Sequence, residues 1–594
     1  MRKTPRRSVS LRIVQSIRGA AFVSLAWLAV CHGVRAQEQP RPQSSARRLA
    51  RIPAVRARHG MVASKEAHAT RIGVQILREG GNAVDAAVAV GFALSVTSPR
   101  SAALGGGGFM LVYLAAQKKV VAIDYRETAP LDTPKDVFLD ADGRPDPQKS
   151  RDSALSIGVP GTVAGLAYAE AHYGSGRFTL AQLIAPALRL ARDGVPVADD
   201  LDDSLRNSSA RLARFPSSRK VFFGPDGRPL HGGDILRQRD LAKTLAAIGR
   251  QGASAFYTGP IAARIAASVE GAGGHMTTGD LASYRVIERK PLWGDYRGYR
   301  IVSMPPPSSG GVSIIEILNI LEGYPLGALG ANSAESIHLM AEAMKLAFAD
   351  RAKYLGDPRF VAMPVAALTS KAYAAHLRKG ISLSRARPAI DISAGAPAPY
   401  ESDQTTHFSV VDAQGDAVAN TYTLNLSFGV GLVAAGTGVL LNDELDDFAA
   451  APGAANVYGL VGGENNAPGP RKRPLSSMSP TMAFKNGRLQ LVTGSPGGPR
   501  IISTVVEILS DVIDHGYNVA EANDAPRFHD QWLPDVLDVE RGISPDAIRL
   551  LKAMGHKVRV QAGWGSAATI ARARDGLLTG SADPRQRGTL AAGY

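Results

Sequence analysis

The chain has 594 residues, of which 45% are apolar and 20% charged, and these values are typical of a globular protein with two to four domains. Its formal net charge of +15 is concentrated at the N-terminus, because residues 1–36 carry seven basic side chains and no acidic one. The rest of the chain lacks a basic stripe interleaved with aromatic residues, which disfavours a nucleic-acid-binding protein.

The first 36 residues have the composition of a secretory signal peptide. A basic start precedes an apolar run at 20–30 and the small-residue segment Val34-Arg35-Ala36, after which cleavage would expose Gln37. The apolar run is too short to cross a bilayer comfortably, so no membrane anchor is expected. Cys31 is the one cysteine and would be lost with the signal, which excludes disulfides and thiolate catalysis. We therefore expect a periplasmic or secreted protein with a basic flexible leader at 37–59.

The body of the protein is predicted to begin with a strand at 60–63 and two helices, at about 66–79 and 83–96. The second helix is apolar nearly all round and should be buried, with Asn82 as its N-cap. Four glycines at 105–108 lack the lysine and the helix of a phosphate-binding loop, so close backbone packing beside a site is the better interpretation. A strand at 120–125 then ends at Arg126, which is either a surface ion-pair partner or a fork for a carboxylate in a cleft.

Helical patterns dominate the middle of the chain, at 180–193, 236–248, 259–269 and 332–354. The histidines are scattered without zinc-site spacing, so we expect neither a metal nor another cofactor. Residues 385–404 have the composition of a loop and lead directly to Thr405.

Thr405 stands at the start of a predicted β-hairpin. Residues 405–412 alternate as a strand does, and 417–424 return as a second strand after a polar turn. If the chain is cut between Gln404 and Thr405, one residue gains both a hydroxyl nucleophile and a free α-amine that can act as its general base. Such an amine has a pKa of about 7.7–8.0, so much of it is unprotonated near neutral pH. This stretch alone leaves open whether Thr405 is a nucleophile or an ordinary hairpin residue.

Three later segments carry polar residues suited to a site. A strand at 438–441 ends in the acidic turn 442–447, which lacks the ligand spacing of a calcium loop. The Gly- and Asn-rich segment 452–466, which contains Tyr458, has the composition of a mobile lid. A strand at 489–492 runs through a glycine turn into a helix at 501–514, a geometry that can aim N–H groups at an anion. Ser495 lacks the flanking residues of a nucleophile elbow, which disfavours a serine hydrolase.

Taken together, these motifs resemble the γ-glutamyltranspeptidases, a family of N-terminal-nucleophile hydrolases. The resemblance covers 60–594 and lies in Leu-Gly-Gly-Gly-Gly-Phe-Met at 104–110, Asp-Tyr-Arg-Glu-Thr-Ala-Pro at 124–130, Thr-Thr-His-Phe-Ser-Val-Val-Asp at 405–412, Pro-Leu-Ser-Ser-Met-Ser-Pro at 474–480, Thr-Gly-Ser-Pro-Gly-Gly at 493–498, and the ending Asp583-Pro584-Arg585 with Gly593-Tyr594. Each motif is weak alone, but the combination is specific.

The resemblance implies a role for each of these segments. The precursor would cut itself between Gln404 and Thr405 into a large subunit, 60–404, and a small subunit, 405–594, that stay together non-covalently. The implied catalytic residues are the nucleophile Thr405, Thr423 to orient it, and an oxyanion hole at Gly497 and Gly498. The implied substrate residues are Arg126, Ser476 and Ser477 for the α-carboxylate, Asn425, Glu444 and Asp447 for the α-ammonium, and Tyr458 in the lid.

The implied activity is that of an exported γ-glutamyltransferase and glutathione hydrolase. Thr405 would form a γ-glutamyl ester that is hydrolysed by water or transferred to an amino acid or peptide amine. A γ-glutamyl donor has a free amino-acid head, so a cation and anions at a fixed separation could recognise it. An ordinary α-peptide bond would leave one of those buried charges unpaired. Position 444 is Glu where some bacterial members carry Gln, and we expect a tuned ammonium contact there.

Three alternatives stay open at this stage. A cephalosporin or glutaryl acylase of the same scaffold would not need the head-binding charges, yet Arg126, Asp447, Ser476 and Ser477 are all present. Relatives that act on poly-γ-glutamate tend to lack a lid, whereas 452–466 resembles one. An inactive exported peptide-binding homologue would have no reason to keep Thr405, Thr423 and the glycine pair.

The expected fold class is α+β. The resemblance, together with strands near Gly60, Met110, Val120, Thr405 and Leu489, implies a four-layer αββα sandwich to which both subunits contribute strands.

Overall fold

The computed structural model describes residues 52–392 and 405–594. The predicted signal peptide, most of the predicted leader and Gln404 lie outside these residues. Within them, two seven-stranded sheets lie face to face between two layers of helices, which confirms the predicted αββα sandwich.

Both large sheets are antiparallel throughout. Sheet I has the spatial order β21 (Leu590–Gly593), β2 (Met61–Ser64), β10 (Thr406–Val411), β11 (Ala417–Thr423), β3 (Gly107–Leu114), β4 (Lys119–Tyr125) and β7 (Ile287–Arg289). Sheet II has the order β1 (Val55–Ala57), β20 (Leu578–Ala582), β19 (Ala568–Arg572), β15 (Arg488–Thr493), β14 (Thr481–Lys485), β9 (Tyr299–Ser303) and β8 (Leu292–Tyr296). Three small sheets pair β5 (Val195–Pro196) with β6 (Ile235–Leu236), β12 (Val433–Ala434) with β13 (Val439–Leu440), and β16 (Phe528–His529) with β17 (Leu537–Glu540) and β18 (Val558–Gln561).

The helices form two main layers. Those that pack on sheet I are α1 (Ala67–Arg78), α2 (Ala83–Thr97), α4 (Thr162–Tyr173), α5 (Leu180–Asp193), α9 (Arg239–Gln251) and α11 (Gly259–Gly271). Those that pack on sheet II are α13 (Gly310–Leu321), α15 (Ala334–Tyr354), α18 (Arg500–Ile513), α19 (Val519–Asp524) and α20 (Pro545–Ala553). The shorter helices are α3 (Pro147–Arg151), α6 (Asp199–Asn207), α7 (Ser209–Ala213), α8 (Pro216–Phe222), α10 (Ser254–Tyr257), α12 (Thr278–Ser283), α14 (Leu326–Leu329), α16 (Val365–Leu368) and α17 (Lys371–Arg378). Across the described ranges, none of the helices is long and apolar enough to cross a membrane.

The predicted second helix shows how the local sequence sets the structure. α2 is buried along nearly its whole length, as its continuous apolar composition predicts. Asn82 caps it, accepting from the backbone N–H groups of Val84 and Asp85, while Asp85 accepts from the Asn82 N–H to complete a capping box. The helix therefore begins at a fixed point beneath sheet I.

Strand β10 is buried on both faces. Its side chains point alternately toward the helices that cover sheet I and toward sheet II. Phe408 and Val410 face the helices on sheet I. His407 and Ser409 face sheet II, where the Ser409 hydroxyl donates to the carbonyl oxygen of Ala568 at 2.9 Å. The polar side of the hairpin is thus an interior surface between the sheets, and the predicted alternation marks a buried strand.

The glycine run at 105–108 lies where backbones approach each other closely. A Cβ atom on Gly105 would come within 2.1 Å of the Leu440 carbonyl oxygen, and one on Gly106 within 2.0 Å of the Thr423 carbonyl oxygen. No side chain fits at such distances, so the predicted close packing is confirmed. The run brings β3 against the end of β11.

Two sequence predictions differ from the structure. Residues 55–57, assigned to the flexible leader, form β1 and pair with β20, so the ordered body begins before Gly60. The helix predicted from residue 236 begins at Arg239, because Ile235 and Leu236 pair with β5 as a short strand. Both segments are too short for their apolar pattern to distinguish a strand from a loop or a helix start.

Candidate active site

Thr405 and Thr423 lie side by side at the end of the central hairpin of sheet I. The register pairs Thr406 with Tyr422, so the next residues along, Thr405 and Thr423, meet on the face turned toward sheet II. Both are almost completely buried. The Thr423 hydroxyl oxygen accepts from the backbone N–H of Asn425 at 2.9 Å, which fixes its orientation. The predicted partner of Thr405 is therefore beside it.

A small cavity of about 20 Å³, called here the head cavity, opens at this point. It is lined by residues that the sequence analysis drew from widely separated segments: Thr405, Thr423, Asn425, Glu444, Asp447, Tyr458, Ser476, Ser477 and Gly498. Leu460, Met478 and Ile501 complete its wall. The fold brings nearly the whole predicted set together. Arg126 is not part of the lining but bonds to Glu444 and Asp447, and Gly497 directly precedes Gly498 in the chain.

Arg126 is completely buried and already holds two carboxylates. Its Nη1 donates to Glu444, its Nη2 donates to Asp447 at 2.6 Å, and its Nε donates to the Pro474 carbonyl oxygen at 3.2 Å. Burial alone would lower the pKa of this guanidinium, but Glu444 and Asp447 outweigh burial and raise it. The cation and the anions of the predicted set are in direct contact with each other.

The two acidic residues are aimed into the head cavity by a single turn of 3₁₀ helix at 444–447. Asp447 Oδ1 accepts from the side-chain amide of Asn456 at 2.8 Å. Glu444 Oε2 is buried and has no hydrogen-bond donor among the described residues. Burial raises the pKa of Glu444, with Asp447 adding to the rise and Arg126 opposing it. This unsatisfied oxygen is suited to accept from a cationic ligand.

Sequence reasoning missed Arg351, a second buried guanidinium beside the cavity. It lies on α15, where its Nε donates to the Ser309 hydroxyl at 2.9 Å and its Nη2 to the Ser477 hydroxyl at 3.4 Å. Burial lowers its pKa to about 10. Arg351 lies one helical turn after Ala347 and Phe348, on a buried side of the helix. A basic residue within an apolar stripe is unusual, and this signal in the sequence could have pointed to Arg351.

Glu127, next to Arg126 in sequence, was also missed. Neither of its buried carboxyl oxygens has a hydrogen-bond partner within the described ranges, and the nearer one lies 3.6 Å from Arg126 Nη1. Burial raises the pKa of Glu127 well above its ordinary value, and Glu444 adds to the rise. The raised pKa favours the neutral form of Glu127, and a neutral carboxyl there would limit the negative charge around Arg126.

The glycine pair follows β15, and its second member, Gly498, lines the head cavity. Gly497 and Gly498 have φ angles of 132° and 53°, which side chains rarely adopt. A Cβ atom on Gly498 would also lie 2.7 Å from the Tyr458 ring. Both the backbone conformation and the close approach of Tyr458 therefore require glycine at 498.

The segment predicted as a lid covers the head cavity. Tyr458 is 8% exposed, and its hydroxyl donates to the Asn425 carbonyl oxygen at 3.0 Å. The side-chain oxygen of Asn456 accepts from the Tyr458 N–H at 2.9 Å. A cavity of about 20 Å³ has room for little more than one water molecule. A larger ligand would require this wall to shift.

The structure also groups His338, Glu342 and His556, whose potential ligand atoms lie within 4.8 Å of one another, away from the head cavity. The Lys345 ammonium pairs with Glu342 at 2.5 Å and donates to the Arg387 carbonyl oxygen. The carboxylate is thus already paired with a cation from the chain itself. The sequence analysis expected no metal because the histidines lack zinc-site spacing along the chain. It did not predict this cluster, whose members are far apart in sequence.

The His407 ring packs against the glycine turn after β15. From its burial we predict that the stability of the folded protein depends on pH. The ring lies against Gly494 and hydrogen-bonds with Thr421 Oγ1 at 2.8 Å, and burial lowers its pKa to about 3. The unfolded chain binds this proton below pH 6.5 and the folded chain does not, so stability falls on acidification between pH 6.5 and 3. We expect His407→Gln to remove about 1.4 kcal/mol per pH unit of that fall, measured by urea unfolding at pH 7 and pH 5.

The matched control is His376→Gln, the same substitution at an exposed position of α17, and it should reduce that fall in stability much less than His407→Gln does. An unaltered dependence in His407→Gln would contradict the assignment of a neutral buried ring.

A protein-family sequence model described as gamma-glutamyltranspeptidase matches residues 69–593 of this chain. A glutathione hydrolase proenzyme from Escherichia coli (strain K12) is 53% identical over 540 residues, which cover 91% of this chain and 93% of the relative. Among solved structures, a cephalosporin acylase from Bacillus halodurans aligns with a TM-score of 0.81 at 29% identity, covering 95% of this chain and 99% of the other. A γ-glutamyltranspeptidase from Helicobacter pylori aligns with a TM-score of 0.54 at 45% identity, covering 55% of this chain and 93% of that one.

Proposed function

Because this chain belongs to the γ-glutamyltranspeptidase family, we propose that Thr405 is its nucleophile, released when the precursor cuts itself between Gln404 and Thr405. The protein is a glutathione hydrolase and γ-glutamyltransferase. The observation that carries the residue assignment is the head cavity, where Thr405 borders a buried set of charges suited to an amino-acid head.

In the proposed reaction, the Thr405 α-amine removes the proton from its own hydroxyl as Oγ attacks the γ-carbonyl carbon. The N–H groups of the Gly497–Gly498 turn would stabilise the oxyanion, a contribution worth on the order of 10²–10³ in rate per donor in other enzymes. The amine product leaves with a proton from the α-amine, and a γ-glutamyl ester of Thr405 remains. Water or an acceptor amine then breaks this ester.

Head recognition in this proposal exchanges internal ion pairs for pairs with the substrate. The α-carboxylate would join Arg126, Ser476 and Ser477, and Arg351 adds positive charge behind Ser477. The α-ammonium would join Asn425, Glu444 and Asp447. Arg126 is paired with Glu444 and Asp447, so a ligand that displaces these ion pairs must replace both the cation's partner and the anions' partner. Only a ligand with both a carboxylate and an ammonium leaves none of the three buried charges unpaired.

The family's two-chain organisation fits the position of the cut. β10 and β11 begin after Thr405, yet they lie between β2 and β3 in sheet I. The proposed large and small subunits would therefore share one core and stay associated without a covalent link. Export through the predicted signal peptide belongs to the same proposal.

The acylase alternative is supported by the similarity of fold to the cephalosporin acylase structure and by acylase relatives that are 39% identical to this chain. A glutaryl side chain has no α-ammonium, so it would leave Glu444 and Asp447 without a cationic ligand. The retained buried charges therefore favour the γ-glutamyl donor.

The test is release of the aromatic amine from a γ-glutamyl anilide, with and without a dipeptide acceptor. We expect release without acceptor, and faster release with it, because aminolysis adds a second route for breaking the ester. A folded, processed sample that releases no amine in either condition would contradict the proposal.

A further inference from the structure

Arg351 is a buried cation that lacks an anionic partner at bonding distance. It is 4% exposed. Within the part of the chain that the structure describes, its guanidinium donates to two neutral hydroxyl oxygens, those of Ser309 and Ser477, and forms an ion pair with no carboxylate. Because burying an unpaired charge is costly, such a group points to a nearby anion that the described residues do not supply.

The two serines of the head cavity have hydroxyl protons left to donate. The Ser477 oxygen accepts from Arg351 Nη2, and the Ser476 oxygen accepts from the Met478 N–H at 3.1 Å. Across the described ranges, neither hydroxyl donates to another group. Since each oxygen already accepts from the chain, its O–H group is available to donate to a ligand in the cavity that both serines line.

Arg351 also braces the backbone of this serine pair. The Ser309 hydroxyl, which accepts from Arg351 Nε, donates to the Ser476 carbonyl oxygen at 2.7 Å. The Ser309 N–H donates to the same carbonyl oxygen at 2.7 Å. The guanidinium is thus linked to Ser476 through Ser309 and to Ser477 directly.

Arg126 alone is poorly suited to balance a further anion. Its two Nη atoms hold Glu444 and Asp447, so its single positive charge is shared by two acidic side chains. A substrate α-carboxylate would be a third anion at one guanidinium. Arg351 adds a second positive charge next to Ser477, which is where this carboxylate needs it.

Resting on the proposed function, we propose that Arg351 is a positioning residue for the α-carboxylate of the γ-glutamyl donor, because it holds Ser477 as a hydrogen-bond donor and balances the charge of the carboxylate. Arg351 is not part of the lining of the head cavity, so it acts through Ser477. The consequence is a specificity: the protein prefers donors with a free α-carboxylate over donors in which that group is an amide.

The experiment compares a γ-glutamyl anilide with the same compound carrying an α-carboxamide in place of the α-carboxylate. We expect the wild-type protein to prefer the acid by at least about tenfold in kcat/KM, the effect of one charge-assisted hydrogen bond. Arg351→Met should reduce this preference severalfold, mainly by raising KM for the acid, because the carboxylate is bound in the ground state as well as in the transition state. Arg351→Lys keeps the cation and should retain part of the preference.

Two further variants separate a positioning role from a structural one. In a Ser477→Ala background, Arg351→Met should reduce the acid preference less than it does in the wild-type protein, because the hydroxyl that Arg351 positions is gone. Lys353→Met removes an exposed cation from the last turn of the same helix, α15. It is the matched control and should keep the full preference.

Equal kcat/KM for acid and amide in the wild-type protein would overturn the proposal. An undiminished preference in Arg351→Met, or fully additive losses in the double variant, would do the same. If Arg351→Met does not mature, Arg351→Gln removes the charge but keeps a polar side chain, and the same reduction is expected and the same result would contradict it.

Because the readout is a ratio between two substrates, a general loss of activity in a variant does not imitate the expected result. Failure of the proposed function itself would look different, since the wild-type protein would then cleave neither substrate.

Discussion

Thr405→Ala is expected to leave the precursor as one uncleaved chain and to reduce γ-glutamyl anilide hydrolysis by at least about 10⁴-fold. Both reactions use the same hydroxyl, so its removal stops maturation as well as turnover. Thr405→Ser keeps the hydroxyl and should still mature and turn over, at a reduced rate. A denaturing gel and the anilide assay measure the two effects separately.

The neighbouring residue supplies a matched control. Thr406 is also buried, but its side chain points to the opposite face of the strand, where its hydroxyl lies 3.2 Å from Ser101 Oγ. Thr406→Val should therefore mature and cleave the anilide. A Thr405→Ala precursor that still splits at the same bond would refute the assigned nucleophile.

Asp447→Asn is expected to lower kcat/KM for γ-glutamyl donors by about 10²–10³-fold. The change keeps the shape of the side chain but removes one of the two anions held by Arg126. Loss of one partner from a buried, hydrogen-bonded charge pair costs about 2–5 kcal/mol in other complexes. Steady-state kinetics with a γ-glutamyl anilide measure the effect.

A second substrate shows whether the lost charge is the one that contacts the α-ammonium. A glutaryl anilide lacks that ammonium, so Asp447→Asn should reduce its cleavage much less than that of the γ-glutamyl compound. The exposed Asp546→Asn should alter neither. Equal losses for both donors would place Asp447 in a structural role.

The sandwich was predictable because several of its central elements have strong local signals. The capping residue Asn82 and the uniformly apolar α2 mark a buried helix, and the alternation after Thr405 marks a strand. Strand β1 and the start of α9 were mispredicted, since each depends on pairing with a partner that is distant in sequence. For Val55–Ala57 that partner is Gly580 and its neighbours.

The site could be predicted as a set of residues but not as a geometry. The motifs contained nearly all the residues that line the head cavity. Nothing in them shows that Arg126 is bonded directly to Glu444 and Asp447. That arrangement arises because β4 and the acidic turn, far apart in sequence, end at the same point in the fold.

Arg351 shows the limit of motif reasoning most clearly. It lies in a long helix, and that segment does not look like a loop that carries a site. Its charge lies beside the site because the fold buries it against Ser477. Only three-dimensional proximity could have revealed its position there.

The most direct test of Thr405 as the nucleophile is to trap the acyl-enzyme. The processed protein is mixed with a γ-glutamyl donor, quenched in acid within the first turnover, and analysed by intact-mass and peptide mass spectrometry. We expect a small chain that begins at Thr405 and carries one γ-glutamyl group on that residue. A γ-glutamyl group on any other residue, or a small chain that begins elsewhere, would contradict the account.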